Sequence, residues 1–234
     1  MIFHLNSLSR EPIIKRCFSS GPSFCKPMPE TTPKKNQDLR EGLTLPKILR
    51  FFYLPFCPRM IAPFLVVRRF EDIPVDRLVD EGFKGVLLDA DGTLCTHHAR
   101  EFPQGILTHV RRMVDQGLRV AIYTNSSNNR FQQFQGIEVV REAHAKPDRR
   151  GFEAAMKNHL RLDDPAKVCM VGDNFITDGG AVAAGMRFIY VQPIKGSEGL
   201  VHSLTRYWGY LCARFYFADK FKGLCAREKS ASDS

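Results

Sequence analysis

The chain has 234 residues, 44% hydrophobic and 25% charged, an ordinary globular balance that excludes wholesale disorder and leaves room for one core-bearing domain with extensions. Its formal net charge is +9, from 34 basic and 25 acidic residues, so its natural partners are anions such as a phosphate ester, an acidic lipid surface or a nucleic acid. The surplus sits on the flanks: residues 1–50 hold 9 basic and 4 acidic residues and residues 201–234 hold 6 and 3, whereas the stretch between is nearly balanced.

Residues 1–29 carry five serines, four basic residues and the single acid Glu11, which suits a mitochondrial presequence better than a secretory signal. A disordered tail or an upstream start is the competing reading, and would leave the protein cytoplasmic. The Pro-rich, polar run Pro27 to Gln37 reads as a linker, so the expected division is a targeting or disordered extension over 1–40, a core-bearing domain with a basic aromatic N-terminal arm over 41–200 and a basic aromatic extension over 201–234. Leu45 to Phe70 mixes aromatic and aliphatic residues with Lys47, Arg50, Arg59, Arg68 and Arg69, a composition that suits a membrane interface or an arm laid over the core. No window offers 18 uninterrupted apolar residues, so no spanning helix is expected.

From residue 85 onward short apolar runs alternate with amphipathic stretches, the pattern of βα units and a parallel sheet. Strands are expected near Gly85–Asp89, Arg119–Thr124, Ile137–Val140, Val168–Val171 and Phe188–Val191. Helices are expected near Pro103–Gln116, Asn128–Gln135, Asp148–Leu160 and Thr177–Ala184. At the other end, Tyr207 to Phe217 carries the only tryptophan among Arg206, Arg214, Lys220 and Lys222, a second candidate for an anionic interface or for a cover over the sheet. The seven cysteines form no CxxC pair or repeated spacing, which speaks for a reducing compartment and against a disulfide framework or structural zinc.

Four segments carry chemistry. KGVLLDADGTL sets Asp89 and Asp91 just beyond a buried strand, with Gly92 allowing a sharp turn. In open α/β sheets ligands bind at the carboxyl ends of strands, and two carboxylates there can share the work of nucleophile and proton donor. VAIYTN ends in Thr124 and Asn125, short side chains able to bond a phosphoryl oxygen or to cap a helix. Lys146, in HAKPD, is fixed before Pro147 and an expected helix, where its charge can neutralise a carboxylate and an incoming phosphate. VCMVGDNFITDGG delivers Asp173 from a strand end, with Asp178 five residues on, and a hard divalent cation such as Mg²⁺ takes oxygen ligands of this kind.

The order DxDGT, strand-Thr, Lys-Pro and GDxxxxD resembles the haloacid dehalogenase (HAD) superfamily of phosphatases over roughly residues 84–195. The resemblance implies a Rossmann-like three-layer α/β sandwich with a mostly parallel sheet. It implies that Asp89 is the nucleophile, that Asp91 is the general acid and base with its carbonyl on Mg²⁺, that Thr124 orients the phosphoryl group and that Lys146 stabilises its charge. Asp173 would complete the metal site, supported by Asp178. Only 35 positions separate Asp89 from Thr124 and 22 separate Thr124 from Lys146, both consumed by expected helices and strands, so the enzyme should be capless and its site open to a phosphate on a large molecule or a lipid surface.

The segment FxxLPFCPRMIAPFLVVRRF, together with HAKP, GDNFITD and VQPI, also resembles the class IIIA, YqeG-type subgroup, which includes mitochondrial and plastid phosphatidylglycerophosphate phosphatases. Close members often have Asn where Gly92 stands. This narrower resemblance implies a Mg²⁺-dependent enzyme that dephosphorylates phosphatidylglycerophosphate, peripherally bound to an anionic membrane on the matrix side of the mitochondrial inner membrane. A soluble phosphatase of sugar phosphates or nucleotides shares the four motifs, and a non-enzymatic lipid- or phosphate-binding scaffold shares the basic flanks. No base-stacking pattern favours a nucleic-acid partner.

Overall fold

In the computed structural model, which describes residues 45–96, 99, 101–126, 130–142, 144–194, 196 and 200–224, six strands pair in parallel in the order β1-β6-β5-β2-β3-β4. They are β1 (Leu65–Val67), β2 (Gly85–Leu88), β3 (Arg119–Tyr123), β4 (Glu138–Val140), β5 (Val168–Gly172) and β6 (Arg187–Val191). The five strands expected from apolar runs are present within a residue or so of their expected limits. The sixth, β1, pairs Leu65 with Ile189 at the sheet edge. Its three residues lie between basic and aromatic neighbours, where no period could betray a strand.

The fold is thus α/β and Rossmann-like, with the sheet buried on both faces as a parallel sheet must be. Successive side chains in β2 divide between two cores. Leu87 joins Tyr123, Met170, Phe188, Tyr190 and Phe152 on one face, whereas Val86 and Leu88 join Ile122, Val171, Ile189, Ile106 and Val110 on the other.

Helices α2 (Val75–Asp80) and α3 (Gln104–Asp115) cover the second face. The first is covered by α4 (Arg149–Ala154, continuing as a wider π turn over Ala155–Leu160) and α5 (Gly180–Ala183). The α1 helix (Leu45–Tyr53) and the α6 helix (Leu200–Tyr216) complete this layer: Phe51, Trp208 and Tyr210 pack against it, with Cys212 and Ala213 inside it. Because α3 follows β2 on one face and α5 follows β5 on the other, the gap beyond the carboxyl ends of β2 and β5 is a topological switch point, the place where such sheets bind ligands.

Two expected elements differ. Among the described residues, 130–136 form turns and no helix. Phe131 and Phe134 are anchored against Phe102, and the Gln133 side-chain Oε1 accepts a hydrogen bond from the Phe102 backbone amide at 2.8 Å, so tertiary contacts replace the intrahelical ladder. The helix expected over Thr177–Ala184 is confined to Gly180–Ala183, whereas that expected over Asp148–Leu160 is present from Arg149, capped by Asp148, whose carboxylate accepts from the Arg150 amide at 2.9 Å. Among the described residues the β2–β3 connection holds α3 and the stretch between β3 and Lys146 holds β4; neither carries a cap domain.

The two aromatic flanks cover the sheet and also carry exposed apolar residues on their outward sides. Phe51 stacks on Trp208 at 5.4 Å, and the Trp208 indole N–H donates to the Phe51 carbonyl at 2.9 Å, so α1 and α6 lie side by side. Their outward sides expose Leu45, Leu49, Phe52, Tyr53 and Phe56 on one strip and Leu204, Tyr207, Leu211 and Phe215 on the other, with Phe56 and Phe215 each 80% exposed. The helical period alone separates the faces: 204, 207, 211 and 215 recur on one side of α6 while Arg206, Gly209, Cys212 and Ala213 turn inward. Lys47 and Arg50 are buried, on the core-covering side of this arm. Arg50 donates to the carbonyls of Phe175 and Met60, and burial lowers its pKa to about 10 against the pull of Asp178.

Candidate active site

Each of the four motifs ends at the switch point. Asp89 follows β2, Thr124 follows β3 and Asp173 follows β5. Lys146 reaches in from the loop before α4, its ammonium 2.5 Å from Asp89 Oδ1 and 2.6 Å from Asp178 Oδ1. Asp89, Asp173 and Asp178 are buried, and each offers a carboxylate oxygen within 4.8 Å of the others, a grouping that could hold a metal ion. An all-oxygen, all-carboxylate set suits a hard divalent cation, so these residues fit Mg²⁺.

Electrostatics explain why so many acids tolerate one another. Burial pushes the Asp178 carboxyl up to about 6, the charge of Asp89 adds to the rise, and Lys146 opposes it. Burial works against the Lys146 ammonium too, but Asp178 and Asp89 outweigh it and hold its pKa above the ordinary lysine value. Asp91, at the mouth, pairs with Arg130, whose guanidinium also donates to the carbonyls of Thr96 and Ala99. Asp173 Oδ2 lies 3.0 Å from an Arg206 nitrogen. The four acids therefore face three cations, and neither arginine belongs to a motif.

The Asn125 amide spans the backbone of Lys146, donating to its carbonyl at 3.2 Å and accepting from its N–H at 3.0 Å. It braces the lysine loop in this structure, whatever it offers a phosphate. Thr124 Oγ1 accepts from the Ser126 amide at 3.0 Å; the alternative of a helix cap finds no helix among the described residues 124–126 and 130–136. Asp178 Oδ2 accepts from the Asn174 amide at 3.2 Å, so it orders its own loop while holding Lys146.

Gly92 is required twice over. Its φ is +84°, and a Cβ there would lie 2.1 Å from Asp173 Oδ2 and 3.1 Å from an Arg206 nitrogen. Gly92→Ala is expected to cost about 2–3 kcal/mol through left-handed strain and displacement of Asp173, and to weaken divalent-cation binding in step. Urea unfolding beside a cation titration checks both; wild-type values in the two assays would contradict the close packing.

A family model described as Mitochondrial PGP phosphatase matches residues 47–191, which include all seven residues singled out from the motifs. The chain belongs to this family. It is a phosphatase, a phosphoric monoester hydrolase. It is 26% identical over 153 residues to the "Probable phosphatase YqeG" of Bacillus subtilis (strain 168), a match spanning 63% of this chain and 87% of the relative. It is 28% identical over 153 residues to "Phosphatidylglycerophosphate phosphatase 1, chloroplastic" of Chlamydomonas reinhardtii, spanning 59% of this chain and 55% of the algal protein.

The matched range contains the motif residues, whereas the two arginines emerge only from the structure. Arg130 follows the Thr124 motif with no spacing to mark it. Arg206 lies beyond the matched range, among the basic residues of the C-terminal aromatic stretch, and it is buried. What could have exposed it is its place on α6, on the side opposite the apolar stripe.

Proposed function

We propose that this phosphatase is Mg²⁺-dependent and removes the terminal phosphate of phosphatidylglycerophosphate at an anionic membrane surface, as a peripheral enzyme of the mitochondrial matrix face. The observation that carries the reading is the cluster in which Asp89, Lys146, Asp173 and Asp178 meet. Phosphoryl transfer needs an in-line nucleophile with positive charge on the phosphoryl oxygens. Asp89, Asp173, Asp178 and the Asp91 carbonyl would hold Mg²⁺, which supplies Lewis-acid stabilisation of those oxygens when bound.

An Asp89 oxygen attacks phosphorus, the bond to the lipid oxygen breaks, and Asp91 gives that oxygen its proton. Asp91 then takes a proton from water as the water attacks the aspartyl-phosphate, which frees Asp89 and inorganic phosphate. Lys146 and Thr124 steady the phosphoryl group, with Asn125 holding the Lys146 loop.

The substrate class is supported by the family match, by the chloroplastic relative's name and by the absence of a cap domain among the described residues. The surface contact is supported by the exposed apolar strips of α1 and α6, which contain no acidic residue between them, with exposed Arg59 and Arg214 nearby. No helix among the described residues is long and apolar enough to cross a membrane. Residues 1–40 would serve as the targeting extension and 201–234 as part of the docking region.

A phosphate-release panel tests the reading. Phosphatidylglycerophosphate should be hydrolysed in preference to sugar phosphates and nucleotides, and chelation should stop the reaction. Preference for a soluble ester would favour the soluble-phosphatase alternative, and no release from any ester would leave the scaffold. Phe52→Glu combined with Phe215→Glu should reduce co-sedimentation with phosphatidylglycerol vesicles by about tenfold or more, while hydrolysis of a small aryl phosphate stays at the wild-type rate. Unchanged co-sedimentation would dismiss the two strips as the contact.

A further inference from the structure

Helix α6 serves the site as well as the surface. Its Arg206 is buried against Asp173, at 3.0 Å from Oδ2, and Asp173 is one of the three carboxylates whose oxygens lie within 4.8 Å of one another. The approach is built into the backbone at two points. Gly92 leaves room for the Asp173 and Arg206 side chains to meet, since a Cβ there would strike both. Gly209, nearly one turn beyond Arg206, brings α6 against the Asp173 loop, where a Cβ would lie 3.0 Å from that of Phe175. Tyr190 is buried beside the pair, and its pKa is raised by burial first and by Asp173 next, with Arg206 opposing.

A guanidinium on a carboxylate and a divalent cation on the same carboxylate repel each other across a few ångströms of poorly solvated space. We propose that Arg206 is a positioning residue: it acts as the stand-in counter-ion of Asp173, keeps that carboxylate in place while no cation is bound, and withdraws when the cation arrives, shifting the start of α6. The proposal rests on the cation-dependent phosphatase reading above. It makes the surface helix an element that responds to loading of the site, and by linkage anything that draws α6 outward favours the cation.

Trp208, two residues on and the only tryptophan in the chain, reports on that shift, because its indole is held by the stack on Phe51 and by the bond to the Phe51 carbonyl. Mg²⁺ titrated into the full-length protein should change Trp208 emission with the same midpoint as the heat of binding measured by calorimetry. Arg206→Gln removes the competitor and should bind Mg²⁺ roughly tenfold tighter, with emission that no longer responds. Arg206→Lys keeps the charge and should return the affinity toward wild type.

Unchanged or weaker Mg²⁺ binding by Arg206→Gln, or an undiminished emission response in it, would overturn the proposal, since a merely structural arginine gives one or the other. A wild-type protein that binds no Mg²⁺, or that hydrolyses phosphate esters fully in chelator, would instead remove the cation reading on which the proposal stands.

Discussion

Asp89→Asn is expected to lower phosphate release by roughly 10⁴-fold or more, with an unfolding free energy within about 1 kcal/mol of wild type. An amide oxygen lacks the charge and basicity to displace an alkoxide from phosphorus, so a covalent route through this side chain stops at its first step. The fold should survive because asparagine keeps the shape and can still accept a hydrogen bond from Lys146, now 2.5 Å from Asp89 Oδ1. The substitution also removes the charge that helps to raise the Asp178 carboxyl, which partly offsets the weaker bond to the lysine. Acid-quenched wild-type protein should carry phosphate on the peptide containing Asp89, detectable by mass spectrometry, and the variant should not. Substantial turnover by a well-folded variant would show that water attacks phosphorus directly.

The residues of the candidate site were legible because parallel sheets place ligand sites at strand ends. The strands expected over Gly85–Asp89, Arg119–Thr124 and Val168–Val171 run in parallel, so Asp89, Thr124 and Asp173 lie on the same edge, and Lys146 and Asp178 come to it from loops there. The counter-ions were not legible in this way. Arg130 and Arg206 reach Asp91 and Asp173 across sequence separations of 39 and 33 residues, and such contacts leave no local period. The same limit applies to the flanks. Their composition could not separate a core-covering arm from a surface-facing one, because each helix has one side packed and one side exposed: Phe51 and Trp208 turn inward while Phe52 and Tyr207 turn out. The turn at 130–136 was misread because Phe131 and Phe134 stand at a helical spacing that here serves two ring contacts with Phe102.

Lys146→Met is expected to be the most destabilising single change at the site, and its cost should depend on pH. Removing the ammonium leaves Asp89 and Asp178 facing each other in a buried space, with Arg50 the next cation that Asp178 senses, and breaking a buried pair on one side costs about 3–5 kcal/mol. Asp178 is already raised to about 6 with the lysine present, and without it the carboxyl rises further. A carboxyl whose folded pKa lies above its unfolded value contributes stability that is fully present below the unfolded pKa and lost as pH climbs through the folded one. The lysine stays charged across this range, since its own pKa is raised, so the wild type gains less from acid than the variant does. Urea unfolding in chelator should therefore show a deficit near pH 7.5 that shrinks toward pH 5, as the variant protonates Asp178 and the buried repulsion disappears. Equal deficits at the two pH values would mean that the lysine contributes packing alone and that the acids of this cluster do not depend on it for their charge.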